Sequence, residues 1–324
     1  MSLPKYFELA NGDRMPRIGF GTWQASDEVL EKAVDAALES GYRHFDSARA
    51  YENEAALGRA LRRWIGDNPA RRNELFVVTK LPPGGNRPDL VPEYFNASLK
   101  DLGLDYLDMY LMHTPFAFEH VPGDLHPKSP DGSMRVDLST DLIAVWKAVL
   151  KLREGGAVRH VGVSNVNEEQ LARLCAVERP ACLQVEVHAL CQQPALLTAA
   201  ARLGVPVVAY SPLGSKALAD ALAEKTGRSY PSLLSLPAVS RAAAAHARAP
   251  AQVLLRHALQ RGLAAIPKST NPARIQENIS VWDFELSESE MAELGALDRG
   301  EDGRICDFSF FQGIEKHPEF PFKK

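Results

Sequence analysis

Four side chains that could together deliver a proton, Asp46, Tyr51, Lys80 and His113, lie where apolar runs of the sequence end. Three of them are the last residues of such runs, and Tyr51 follows the first run by five residues. A phenol has a pKa of about 10, too high for an efficient acid at neutral pH, but a cation a few ångström away lowers it by roughly 1–3 units. A carboxylate would hold that cation in place, and an imidazole could orient a polar substrate atom. The four residue types therefore predict general acid catalysis.

Each of these residues also has a structural explanation when it is taken alone. Asp46 could cap a turn, and Tyr51 could be a half-buried surface residue. Lys80 could be solvated, and His113 could be a core histidine bonded to a carbonyl. Their shared position decides between the two interpretations, because unrelated structural residues have no reason to gather on one rim of a sheet. We therefore treat them as one site.

Short apolar runs alternate with helical patterns about eight times along the chain. Most of the runs are too continuously apolar for a sheet with one wet face and are typical of strands buried on both faces. Eight such repeats favour a (β/α)8 barrel over a doubly wound sheet. The predicted strands are Ile18–Trp23, Tyr42–Asp46, Leu75–Lys80, Tyr106–His113, Val158–Asn165, Leu183–Val187, Val205–Ser211 and Leu263–Lys268.

Helical patterns fill the gaps between these runs. Ser26 can cap a helix over residues 27–40, with Gly41 as its stop. Before the first run, Asn11-Gly12 suits a type I′ turn, so Phe7–Met15 is predicted to form a β-hairpin. The other predicted helices cover residues 53–64, 141–154, 167–177, 194–203, 239–247, 250–260 and 287–297.

Three segments are too long and irregular to be simple connections: Thr114–Thr140, Pro212–Pro237 and the tail from Asp298. Long ordered loops in a compact domain are usually functional. All three would open on the C-terminal face of the barrel, where barrel enzymes keep their active sites. No linker or shift in composition divides the chain, so the sequence predicts one barrel domain over residues 1–324.

Several longer motifs surround the four candidate catalytic residues and follow the later strands. They are Gly41–Asp46 (GYRHFD), Tyr51–Glu54 (YENE), Gly162–Asn165 (GVSN), Tyr210–Ser215 (YSPLGS) and Ile266–Thr270 (IPKST). In these motifs and their order the sequence resembles the aldo-keto reductases, the aldose and aldehyde reductase-like group, over nearly its whole length. The resemblance implies a TIM barrel that reduces carbonyl compounds with NADPH. It also implies that the four residues named above are the catalytic tetrad.

The resemblance implies a dinucleotide site as well, and the residue types suit one. Hydroxyl and amide groups at Ser164, Asn165 and Gln184 could hold a carboxamide, and Tyr210 offers a flat face to a nicotinamide ring. The segments after the last two strands are the usual phosphate corner of a barrel, where helix N-termini present N–H groups to anions. Basic side chains in this corner suit a 2′-phosphate, which favours NADPH over NADH.

The predicted cofactor residues are Thr22, Trp23, Asp46, Ser164, Asn165, Gln184, Tyr210, Ser211, Pro212, Leu213, Gly214, Ser215, Ile266, Pro267, Lys268, Ser269, Thr270, Arg274, Glu277 and Asn278. The last three are spaced to share one helix face. For Arg274 and Glu277 the alternative is a surface ion pair of little energetic value.

A substrate pocket is predicted beside the tetrad. Its residues are Trp23, Tyr51, His113, Phe116, Phe308 and Phe311, whereas Phe118 and Phe310 are assigned to ordinary packing. Thr114 stands where the family often has an aromatic residue, which indicates a roomier or more polar site. Arg49 also departs from many relatives. Sugar-derived carbonyls, lipid aldehydes and steroid-like ketones all stay open as substrates.

Composition argues against several other classes of protein. A net charge of −4 without a basic tract is unsuited to nucleic acid as the main partner, and no apolar run approaches the ~18 residues of a membrane span. The N-terminus lacks a signal-peptide pattern, so we expect a cytoplasmic protein whose four cysteines are reduced. The resemblance implies a monomer, which is the commoner oligomeric state in the family.

Two other functions stay open: a non-catalytic cofactor-binding or structural relative, and a metal-assisted barrel lyase or hydrolase. The nine histidines contain no His-x-His or His-Glu-x-x-His arrangement, so no catalytic metal is expected. Gly19-Phe-Gly21 follows a strand as a Rossmann fingerprint would, but the third glycine is missing. We interpret it as part of the first barrel strand, with Thr22-Trp23 facing the nicotinamide.

Overall fold

Eight parallel strands form a barrel in the computed structural model of this protein, which describes residues 3–227 and 230–322. Two short strands, β1 (Tyr6–Glu8) and β2 (Arg14–Pro16), form an antiparallel hairpin before the barrel. The barrel strands are β3 (Phe20–Gly21), β4 (His44–Asp46), β5 (Phe76–Leu81), β6 (Leu107–Met112), β7 (Val158–Ser164), β8 (Leu183–Glu186), β9 (Val207–Tyr210) and β10 (Ala264–Ala265). The barrel strands pair in chain order, and Ile18 pairs with Ala265 to close the ring. The predicted (β/α)8 barrel with an N-terminal hairpin is therefore confirmed.

The first and last barrel strands are shorter than predicted. Ile18–Trp23 and Leu263–Lys268 reduce to two-residue strands, although main-chain hydrogen bonds such as Gly21 N–H to the Pro267 carbonyl (3.1 Å) continue the pairing. The glycines make this closure possible. A Cβ on Gly19 would lie 2.7 Å from His44 Nδ1, and one on Gly21 would lie 3.0 Å from the Ile266 carbonyl oxygen. The glycine pair thus allows close packing where the barrel closes.

Helices connect the strands along the outside of the barrel. They are α1 (Asp27–Glu39), α2 (Glu54–Ile65), α3 (Val91–Leu102), α4 (Leu142–Lys151), α5 (Glu168–Cys175), α6 (Pro194–Arg202), α7 (Lys216–Thr226), α8 (Pro237–His246), α9 (Pro250–Gln260), α10 (Pro272–Ile279) and α11 (Glu288–Gly295). Within the described residues, no helix is long and apolar enough to cross a bilayer.

Two of these helices, α3 and α7, were not predicted, and α10 was implied only by the helix face shared by Arg274, Glu277 and Asn278. Helix α3 has Pro92 in its first turn, where proline is tolerated, and the small polar Ser98 on its buried face weakens the apolar pattern. Helix α7 lies inside Pro212–Pro237, which was predicted to be irregular and whose positions 228 and 229 are outside the described residues. Its alanine-rich sequence favours a helix even though few of its side chains are buried.

The hairpin covers the N-terminal end of the barrel. Met15 is fully buried against the barrel interior, and Asp13 accepts a 2.8 Å hydrogen bond from His160 Nε2 in β7. Asn11 and Gly12 both have positive φ values (68° and 79°), as the predicted type I′ turn requires, and the Leu9 N–H bonds across the turn to the Asp13 carbonyl at 2.7 Å. This end is filled by packing, which leaves the opposite end for the site.

Buried histidines should make stability depend on pH. Burial lowers the pKa of His257 in α9 from 6.5 to about 4, and the charge of Arg261 acts in the same direction. As pH falls, His257 is protonated near pH 6.5 in the unfolded chain but only near pH 4 in the folded chain. Its contribution to the free energy of unfolding is therefore fully present above pH 6.5 and is lost as pH falls from 6.5 to about 4. In urea titrations, His257→Gln should reduce the pH dependence of the unfolding free energy by up to about 1.4 kcal/mol per pH unit between these values. If the unfolding free energy of His257→Gln depended on pH as steeply as that of the wild type, His257 would not be the group responsible.

Candidate active site

A buried ion pair lies at the C-terminal ends of β4 and β5. Lys80 Nζ is 2.6 Å from Asp46 Oδ1 and also donates to the Ser47 carbonyl at 2.6 Å. The second carboxylate oxygen of Asp46 accepts a 2.6 Å hydrogen bond from Gln184 Nε2 in β8. The Lys80 side chain is completely buried and that of Asp46 nearly so. The surrounding hydrogen bonds satisfy both charges, as a buried pair requires.

Tyr51 completes the chain of polar contacts from the ion pair to the surface of the site. It ends a short 3-10 turn after β4, and Lys80 Nζ lies 3.4 Å from its hydroxyl oxygen. Burial raises the pKa of Tyr51 above its usual 10, and the opposing field of Lys80 does not outweigh it. The expected net lowering is therefore wrong in direction. Tyr51 holds its proton at neutral pH.

The charge on Lys80 survives its burial. Burial is the largest single effect and acts to lower the pKa of Lys80, but the charge of Asp46, the interaction with Tyr51 and the hydrogen bonds to both together outweigh it and raise the pKa. Lys80 is therefore an ammonium group directed at a protonated phenol. This arrangement can stabilise the phenolate that forms once Tyr51 has given up its proton.

His113 follows β6 and faces Tyr51 edge to face, with 5.7 Å between the ring centroids. Its carbonyl accepts a 2.8 Å hydrogen bond from Asn165 Nδ2, which holds its backbone in place. Burial, with the charge of Lys80, lowers the pKa of His113 well below 6.5, so the ring is neutral. Its Nδ1 is buried without a hydrogen-bond partner among the described residues. The structure thus brings the four predicted catalytic residues together on one rim.

A cavity of about 350 Å³ opens above this group. The predicted cofactor residues that line it are Thr22, Trp23, Asp46, Ser164, Asn165, Gln184, Tyr210, Ser211, Pro212, Leu213, Gly214, Ser215, Ile266 and Lys268. The remaining predicted residues do not line it; Pro267, Ser269 and Thr270 lie on the connection to α10, and Arg274, Glu277 and Asn278 lie on α10 itself. Asn271 caps this helix by accepting the Arg274 N–H at 3.2 Å.

A polar network links the tetrad to one wall of the cavity. The Tyr210 hydroxyl donates to Asn165 Oδ1 at 2.8 Å, and Asn165 Nδ2 lies 3.0 Å from Ser164 Oγ. Ser164 Oγ in turn donates to the Gln184 carbonyl at 2.8 Å. Because the Gln184 amide nitrogen is held by Asp46, its amide oxygen is the group available to accept a ligand N–H.

Strained backbone is concentrated at the same cavity. Four non-glycine residues that line it have left-handed φ values: Gln24 (59°), Asn165 (59°), Ser211 (49°) and Phe308 (57°). Such conformations persist only where the surrounding structure enforces them, and they cluster at functional sites. The distribution of strain supports this cavity as the site.

The predicted aromatic wall needs two corrections. Phe116 is fully buried and does not line the cavity; it packs edge to face behind Phe308, with 5.0 Å between centroids. Phe310, which was assigned to ordinary packing, lines the cavity and is 48% exposed. Phe308 and Phe311 line it as predicted, and Phe118 is a buried packing residue.

His126 and Cys306 are among the lining residues that were not predicted. The His126 ring stacks on Phe311 at 5.7 Å, and Cys306 belongs to the buried cluster against which Tyr210 packs. Cys306 could have been found from its place two residues before Phe308. His126 carries no such signal, because the path of the loop after Thr114 is set by its tertiary contacts.

Comparison with known proteins agrees with this geometry. The model of the Aldo/keto reductase family matches residues 17–299. This chain belongs to the aldo/keto reductase family. The matched range includes the whole barrel and the four residues of the rim.

Individual relatives of this family member cover nearly all of its length. Aldo-keto reductase family 1 member A1 from Gallus gallus is 43% identical over 298 residues, which are 91% of this chain and 89% of that protein. An aldo/keto reductase from Synechocystis sp. is 40% identical over 297 residues, with the same coverage. The structure of the aldose reductase from Schistosoma japonicum superposes with a TM-score of 0.88 at 37% identity and covers 99% of both chains.

Removing one partner of the buried ion pair should destabilise the fold. Asp46→Asn leaves Lys80 buried without a counter-charge, and we expect a loss of roughly 3–5 kcal/mol of unfolding free energy in denaturant titrations. The exposed pair between Arg63 and Asp35 (2.8 Å) provides a control, since Asp35→Asn should cost less than about 1 kcal/mol. If both variants lost the same unfolding free energy, burial of the Lys80 pair would not increase its contribution to stability.

Proposed function

We propose that this protein reduces aldehydes and ketones to alcohols with NADPH, and that Tyr51 is the general acid. The observation that carries the proposal is the continuous path from Asp46 through Lys80 to the Tyr51 hydroxyl, which ends at a cavity beside a neutral imidazole. Membership of the aldo/keto reductase family supports the same reaction class.

Each residue of the rim has a distinct part in the proposed reaction. Tyr51 holds the proton that the forming alkoxide takes up, and the Lys80 ammonium stabilises the phenol oxygen afterwards. Asp46 keeps Lys80 charged and fixed in position. The neutral ring of His113 has one N–H, which can hold the carbonyl oxygen of the substrate near Tyr51. When bound, the dinucleotide supplies a hydride to the carbonyl carbon.

The residues around the cavity fit a nicotinamide dinucleotide. The Gln184 amide oxygen and the half-buried ring of Tyr210 offer an acceptor and a stacking face on one wall. Ser211–Ser215 lead from that wall into the N-terminus of α7, and the IPKST segment leads into that of α10. Lys268 lines the cavity, and Arg274 is exposed in the first turn of α10. Two helix N-termini and two basic side chains favour a ligand with several phosphates, including a 2′-phosphate.

Thr114 shapes the part of the cavity that we assign to the substrate. Its side chain lines the cavity, but its hydroxyl donates to the Phe116 carbonyl at 2.9 Å. Since that hydrogen bond already engages the hydroxyl, Thr114 widens the pocket more than it adds a polar contact. We propose a roomy site that accepts aromatic as well as aliphatic carbonyl compounds.

The assignment of Tyr51 is tested by Tyr51→Phe. This variant loses only the hydroxyl, so NADPH should bind with nearly unchanged affinity while kcat for 4-nitrobenzaldehyde falls by at least about 10²-fold. Binding is measured by titration of protein fluorescence, and turnover by NADPH consumption. A variant with near-wild-type kcat would rule Tyr51 out as the acid.

The preference for NADPH is tested at Arg274. Arg274→Met removes a guanidinium that we assign to the 2′-phosphate, so the Kd for NADPH should rise by about tenfold, or ~1.4 kcal/mol. NADH lacks this phosphate and serves as the internal control, with a change below about twofold. If the Kd values for NADPH and NADH rise equally, Arg274 does not bind the 2′-phosphate.

A further inference from the structure

A second buried carboxylate, Glu186, lies at the end of β8, two residues beyond Gln184. Its side chain is completely buried. Oε1 accepts the backbone N–H of Ile305 at 2.8 Å, and Oε2 accepts that of Cys306 at 2.9 Å. A strand of the barrel therefore holds two consecutive residues of the C-terminal segment.

The other partners of Glu186 are donors as well. His188 Nδ1 accepts the Leu190 N–H at 3.2 Å, so its Nε2 carries the proton and donates to Glu186 Oε1 at 2.9 Å. Arg304 Nη1 lies 3.9 Å from Oε2. Burial alone would raise the pKa of Glu186, but His188, Arg304 and the Ile305 N–H together lower it. Glu186 is thus an ionised group that only accepts hydrogen bonds.

The residues held by Glu186 lead directly into the aromatic wall. Cys306, Phe308, Phe310 and Phe311 all line the cavity. Cys306 also belongs to the buried cluster against which Tyr210 packs, and Tyr210 lies on the wall that we assign to the nicotinamide. Cys306 therefore connects the segment held by Glu186 to the cofactor side of the cavity.

Close backbone packing lies next to these hydrogen bonds. A Cβ on Gly303 would lie 1.7 Å from the Leu190 carbonyl oxygen, so no side chain fits there without moving the segment. The Arg299 N–H bonds to the same carbonyl at 2.9 Å. Glu186 and Gly303 thus contact the C-terminal segment at neighbouring points where it packs on the barrel.

We propose that Glu186 is a positioning residue that holds Ile305–Phe311 as the substrate-side wall and thereby sets which carbonyl compounds bind. This inference rests on the proposed carbonyl reduction. It assigns Glu186 no contact with the substrate, since the side chain is buried behind the wall. Its effect on the reaction runs through the aromatic residues of the segment.

The test replaces one acceptor oxygen with a donor. In Glu186→Gln the amide NH₂ must face at least one of three N–H groups, from Ile305, Cys306 or His188, and the segment loses a hydrogen bond. Asp108→Asn is the matched control. Asp108 is an equally buried carboxylate at the start of β6 that accepts Arg72 Nη2 at 2.7 Å and the Val77 N–H at 2.9 Å.

Two readouts separate positioning from a general loss of stability. We expect amides 305–311 to exchange hydrogen faster in Glu186→Gln than in the wild type, and at the wild-type rate in Asp108→Asn. The KM for 4-nitrobenzaldehyde should rise about tenfold in Glu186→Gln and that for propanal less than about twofold, because only the larger substrate needs the aromatic wall. The Kd for NADPH should change less than about threefold.

Gly303→Ala displaces the same segment by a different route and decides the question if Glu186→Gln does not fold. A larger rise in the KM for 4-nitrobenzaldehyde than in that for propanal in this variant would support the proposal. Equal changes in both KM values, or unchanged exchange of amides 305–311, would overturn it. A wild-type protein that reduces no carbonyl compound would overturn the proposed function, whereas the exchange rates would still decide whether Glu186 holds the wall.

Discussion

The buried contact between Lys80 and Asp46 is the constraint on which the site depends. Two opposite charges without access to water are stable only when each is held in place and fully hydrogen-bonded. Here Ser47 and Gln184 complete the pair, so one interaction ties together the ends of β4, β5 and β8. The barrel supplies this arrangement because the C-terminal ends of its strands face one another across a narrow interior. Tyr51 then needs only a short turn to bring its hydroxyl to Lys80.

Burial acts in a different direction on each group of the rim. It raises the pKa of Tyr51 and lowers that of His113, while the attraction of Asp46 keeps Lys80 charged against the same effect. At neutral pH the result is a protonated phenol, a neutral imidazole and an ammonium group. In the proposed reaction Lys80 stabilises the phenolate after proton transfer, and the phenol need not be ionised beforehand.

The second carboxylate, Glu186, shows how the barrel also controls the less regular half of the site. The tail after α11 has no long helix or strand of its own, yet its aromatic residues line the cavity. Its position depends on hydrogen bonds from its backbone to a side chain of β8 and on the close approach at Gly303. The barrel thus carries the proposed chemistry at the ends of β4 to β6 and anchors the aromatic wall at the end of β8.

The sequence by itself determined the barrel, because buried strands and amphipathic helices have distinct residue patterns, and it placed Asp46, Lys80 and His113 at strand ends. It also predicted that Tyr51 would join them. Helix α7 escaped prediction because its pattern is weak, and Phe116 and Phe310 were interchanged because periodicity does not say which face of a loop meets a cavity. Only the tertiary structure decided the direction of the Tyr51 pKa, the place of His126 and the contacts of Glu186. The physical reason is that local patterns record which residues are buried, whereas pKa values and loop walls depend on neighbours distant in the chain.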